Sequence, residues 1–72
     1  MTELEQAYAT IEQGWQQVEA CWEQTVKVWR DTSRERFERE HWRPLASAVR
    51  RALTALEELD FLIEQAYRDL ED

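Results

Sequence analysis

Seventy-two residues allow a single domain, and 16 acids against nine lysines and arginines set the net charge at −7. That balance argues against nucleic acid as the main partner. The lone Cys21 rules out an internal disulfide, and no Cys/His cluster offers a structural zinc site, so a chain this small is expected to gain its missing stability by associating with another chain.

One glycine, one proline and no asparagine leave little turn chemistry, which points to an all-α chain. The first element is a helix over about 3–29. Leu4, Tyr8, Ile11, Trp15, Val18, Trp22, Thr25 and Trp29 alternate four- and three-residue steps, as in a coiled-coil seam. Beside it run Ala7, Gly14, Cys21 and Val28, each directly before an aromatic residue. The pairing predicts rings that project toward another helix, with a small neighbour giving each one room. Gly14 costs roughly 1 kcal/mol in mid-helix relative to Ala, so a ring or backbone is expected to approach it closely.

The seam stops after Trp29; extending it would put Ser33, Arg36 and Glu40 in the core. Asp31, Thr32 and Ser33 are all good N-cap residues, and Thr32-Ser33-Arg34-Glu35 matches a capping box. A turn at about 30–32 follows, then a second helix over about 33–70. Arg34/Glu38, Glu35/Arg39 and Arg36/Glu40 are opposite charges four apart. Phe37, His41 and Trp42 supply its inner face. Pro44 lacks an amide hydrogen and disfavours helix at Arg43, so a kink or short break is expected there. The alternative starts the second helix at Pro44 and runs the first unbroken to Arg43.

From Leu45 a second seam continues through Val49, Ala52, Leu56, Leu59, Ile63, Ala66 and Leu70. In an antiparallel hairpin Trp29 falls by Phe37, Trp22 by Pro44 and Leu45, Trp15 by Ala52, and Tyr8 by Leu59. The end of the second helix outruns the first, yet Ala66, Tyr67 and Leu70 keep its seam going. A second chain is expected to cover it. Residues 27–51 carry +4, whereas residues 52–72 carry −6 and residues 1–26 carry five acids and no base. Two hairpins laid antiparallel would match these ends, giving a four-helix bundle, with salt screening the attraction.

Tyr8, Trp15 and Trp22, with Leu56, Leu59, Ile63 and Leu70, are therefore core or interface residues. Trp42 lies off the heptad stripe and suits a partner hot spot, where Trp is enriched, or plain packing. Glu38-x-x-His41 has the spacing of carboxylate di-iron bundles, and a dimer would double it, with Glu19 or Glu23 as further ligands. Against this, Glu38 is placed to pair with Arg34. No metal or other cofactor is expected, nor any catalytic arrangement. Cys21 lacks the basic setting of a reactive thiol, with Glu19 and Glu23 beside it. The basic stretch Arg30, Arg34, Arg36, Arg39 and Arg43 is interleaved with acids and reads as a solvated ion-pair face. No signal-peptide pattern opens the chain, and apolar runs such as Phe61-Leu62-Ile63 are too short to span a bilayer. Synthesis in the cytoplasm is expected, with export without a cleaved signal left open.

Trp29-Arg30-Asp31, with Phe37 eight residues after the tryptophan, resembles the WXG family of small helical hairpins, substrates and partners of type VII (ESX-type) secretion. Asp31 stands where that family has glycine, and this chain is shorter than typical members. Tyr67-Arg68-Asp69-Leu70-Glu71 fits the family's Tyr-x-x-x-Asp/Glu secretion signal after the second helix; Tyr8 to Glu12 fits the same pattern elsewhere. The resemblance implies a non-enzymatic protein that pairs with itself, a related hairpin or an FtsK-like ATPase. The alternative is a structural helical subunit of a larger complex with no secretion role.

Overall fold

Two long runs of helix formers, separated by three residues, fold back on each other. A computed structural model describes residues 3–71. Helix α1 spans Glu3–Val28, α2 spans Thr32–Phe37, a π-helical turn spans Glu38–Trp42, and α3 spans Arg43–Glu71. The last three join into one continuous arm, so the chain is an all-helical hairpin with a long second limb. Its principal extents are 61 × 20 × 10 Å.

Each boundary has a local cause. After Val28, the Trp29 amide still bonds to the Thr25 carbonyl at 2.9 Å, and the Arg30 Nε donates to the Lys27 carbonyl at 2.9 Å. These satisfy carbonyls that a helix end leaves without partners. The reversal at Trp29, Arg30 and Asp31 uses no positive φ, so no glycine is needed. Asp31 is extended (φ −87°, ψ 177°), and its carboxylate accepts the amides of Ser33 and Arg34. The N-cap is thus Asp31. With Asp31 there, the third helical position is Arg34, and the expected Thr32–Glu35 capping box does not form.

Helix continues through Pro44, so the residue neither interrupts the second limb nor begins it, and the alternative of a first helix unbroken to Arg43 does not hold. Pro44 sits in the first turn of α3, directly after the π turn. There the Arg43 amide reaches back five residues to the Glu38 carbonyl. In a regular α-helix the proline ring would collide with the Glu40 carbonyl, and the wider turn relieves that. It also inserts about one residue of phase. Side chains five apart then share a face: Glu38 pairs with Arg43 at 3.1 Å, besides Arg34 at 3.4 Å.

The phase insertion rotates the face that meets α1. Trp42, Ala46, Val49, Leu53, Leu56 and Asp60 are the half-buried or buried positions of the second limb from the last residue of the π turn onward. The expected seam shares only Val49 and Leu56 with them. Leu45, Leu59, Ile63 and Leu70 look outward, as do Ala52 and Ala66. Among the described residues Ala46 alone is buried, at 7% exposure. The hairpin is one layer thick and lacks a closed core.

Candidate functional site

The best-defined cluster lies between the turn and the middle of the hairpin. Trp29 donates its indole Nε1–H to the Asp31 carboxylate at 2.9 Å and to the Ser33 hydroxyl at 3.1 Å. Ser33 also donates its hydroxyl to Asp31. One carboxylate therefore caps α2 and anchors the indole. The Ser33 hydroxyl, the Arg34 amide, the Trp29 indole and the Ser33 amide together hold the Asp31 carboxyl below the usual range, against a smaller opposing effect of desolvation.

A ladder of rings climbs from there. Trp29 tilts against Phe37 at 5.4 Å between centroids; Trp22 stacks on Phe37 at 5.8 Å and on Trp42 at 4.9 Å. Trp15 stacks on the other face of the cluster, 5.1 Å from Trp42. Separations of this size are favourable for aromatic pairs, at roughly 0.5–1.5 kcal/mol each beyond area burial. Trp42 is therefore half-buried between two indoles and not set apart from the stripe. The sequence signal for it was the five-residue step from Phe37 to Trp42 ahead of a proline, which only a π turn reconciles with one face.

One flank of the ladder is apolar and open. Val18, Cys21, Trp22 and Thr25 of α1 line a shallow apolar groove with Phe37 and Trp42. Cys21 is exposed. Gly14 lies on the same flank, and a Cβ there would meet nothing within 4 Å. The close approach expected at Gly14 is not made within the chain.

At the open end, the Tyr8 hydroxyl donates to the Glu57 carboxylate at 2.7 Å. That bond, with desolvation and the charges of Glu57 and Glu12, holds the phenol protonated, its pKa pushed up to about 12. Tyr8 is thus bonded to Glu57, two residues before the expected Leu59. Glu5, Asp60 and Glu64 bring carboxylate oxygens within 4.8 Å of one another. Glu38 is engaged by Arg34 and Arg43, while the His41 ring tilts against Phe37 at 5.1 Å. Beyond Asp60, Phe61, Leu62, Ile63, Tyr67 and Leu70 are exposed, Tyr67 at 66% and Leu70 at 81%. Glu71 is exposed too.

Among the described residues no helix is long and apolar enough to cross a membrane. No protein-family model, curated protein or solved structure matches the chain.

Proposed function

We infer that the protein is a non-enzymatic interaction module whose open flank is covered by a helical partner, completing a four-helix bundle. A single observation supports this most directly: among the described residues the hairpin exposes 11 large apolar side chains and buries only Ala46. A single layer of two helices hides too little apolar surface to offset its chain entropy. A second helical layer would supply that burial. Thermal unfolding read by circular dichroism, over a range of protein concentrations, tests it. A module of this kind unfolds at a temperature set by partner concentration. A monomer with a cooperative, concentration-independent transition would overturn the reading.

The more specific reading is a WXG-like protein exported by, or serving, a secretion ATPase. It draws support from the reversal at Trp29-Arg30-Asp31, where backbone geometry makes no demand for glycine, and from the exposed Tyr67 and Glu71 on an uncovered helix end. Removing residues 67–71 should abolish export from the producing cell while leaving the hairpin helical. Unchanged export would remove the secretion role and leave a structural subunit.

A further inference from the structure

The flank left open has a distinct layout. Ile11, Gly14, Val18 and Cys21 are exposed on α1, and Leu45, Ala52 and Leu59 on α3. Each set lies about a quarter turn to the same rotational side of its helix's inward stripe. Because the helices run antiparallel, both sets look out of the same side of the layer. The groove shared by Val18 and Cys21 with Phe37 and Trp42 lies on that side.

The centre of this face can be located. The second limb, Thr32 to Glu71, runs the 61 Å length of the molecule. At about 1.5 Å per residue its midpoint falls beside Arg51 and Ala52. The Tyr8–Glu57 contact and Trp42, held between Trp15 and Trp22, set the register, and Gly14 comes level with about residues 47–51. The middle of the open face therefore falls near Gly14 on α1 and the small residues Ala48, Ala52 and Ala55 on α3, with Ile11, Val18, Leu45 and Leu59 to either side.

We propose that the occupant of this face is a second copy of the chain, laid antiparallel, with the two-fold axis passing Gly14 and Ala52. The inference rests on the interaction-module reading and names its partner. A two-fold axis makes the residues on it meet their own copies, so small side chains there permit close approach. The flanking residues then fall into register. Val18 comes over Ile11 of the second copy, and Leu45 over Leu59; the two pairs are centred within about a helical turn of the same level. Helix α1 lies on α1 and α3 on α3. Charge on the second limb selects the direction: antiparallel pairing sets the +4 stretch of residues 27–51 against the −6 stretch of residues 52–72, which outweighs the five acids of residues 1–26 meeting their own copies, whereas parallel pairing sets turn end against turn end and acidic end against acidic end. Gly14 also gains a purpose that it lacks within one chain.

Cross-linking tests the arrangement in the full chain. A Gly14→Cys, Cys21→Ser variant should form a disulfide dimer almost completely under mild oxidation. Parent Cys21 should not, because its two copies lie about 20 Å apart along the helices, beyond the about 7 Å that a disulfide spans between Cα atoms. Sedimentation supplies the second measurement. Gly14→Leu should weaken dimerisation about tenfold or more through overpacking at the axis, with helicity retained at high concentration. Cross-linking through Cys21 but not through Cys at position 14 would overturn the proposal, as would a Gly14→Leu variant that dimerises as well as the parent. A chain that stays poorly folded alone and gains structure only with a different helical protein would refute self-pairing and leave the interaction reading intact. A stable lone monomer would end both.

Discussion

Asp31 does the work of several turn residues, since one carboxylate accepts two amides, a hydroxyl and an indole N–H. Its ionised form is favoured in the folded chain, so the contribution is present above the unfolded carboxyl pKa of about 3.9 and is lost as pH falls through the lower folded value. Asp31→Asn should lower the melting temperature at neutral pH. The gap between variant and parent should then close as the pH drops below about 4, as thermal melts across a pH series would reveal. A gap that persisted undiminished would show that the charge is unimportant there. Tyr8 has the opposite sense. Its hydroxyl donates to Glu57, so the protonated form is favoured when folded. That stability is whole below about pH 10 and fades as pH rises toward the folded value of about 12. Ultraviolet titration should find Tyr8 ionising well above the usual phenol value of about 10, and Glu57→Gln should bring it back toward that value.

At the scale of elements, the π turn is what makes the aromatic ladder possible. Residues five apart on an α-helix diverge by about 140°, so Phe37 and Trp42 could not both reach Trp22 on a regular helix. Removing Arg39 together with Pro44→Ala should convert the segment to α-helix with the same faces inward. The near-ultraviolet circular dichroism of the stacked rings should survive; its loss would mean that the wider turn matters for more than phase. Trp42→Ala should cost about 2–3 kcal/mol in denaturant unfolding, below the range for a fully buried indole because this one is half-buried. The hairpin itself was legible in the sequence, since the Leu4-to-Trp29 seam ends where Asp31 can cap a new helix. The pairing of Trp29 with Phe37 was legible too. The inward face of α3 was not. Periodicity was counted from Leu45 at the α-helical step, and a π turn upstream shifts which residues meet α1. Trp42 packs on the inner face with Phe37, as its place beside that residue suggested, whereas the Asp31–Trp29 bond was hidden because side chain to side chain contacts across a turn leave no periodic trace.

For the whole molecule, the separation of charge along a 61 Å rod is the property most open to experiment. Arginines at Arg30, Arg36, Arg39 and Arg43 crowd the turn end, and Glu58, Glu64, Asp69 and Glu71 the far end. Within one copy these groups are tens of ångströms apart, several Debye lengths at about 0.1 M salt, and hardly sense one another. Intramolecular attraction between the ends therefore contributes little, and raising salt should ease the repulsion within each end and leave a lone hairpin unchanged or slightly more stable. In an antiparallel pair the same groups sit across an interface, well inside the screening length at low salt. The melting temperature should then fall as salt rises from millimolar to a few tenths molar, and fall less at high protein concentration, where mass action holds the pair together. Neutralising the tip with Arg36→Glu and Arg39→Glu should reduce the salt sensitivity and weaken pairing. Mixing that variant with one carrying Glu64→Arg and Glu71→Arg should restore it, because opposite ends again meet. A melting temperature that rises with salt at every concentration would place these charges in solvent, not in an interface.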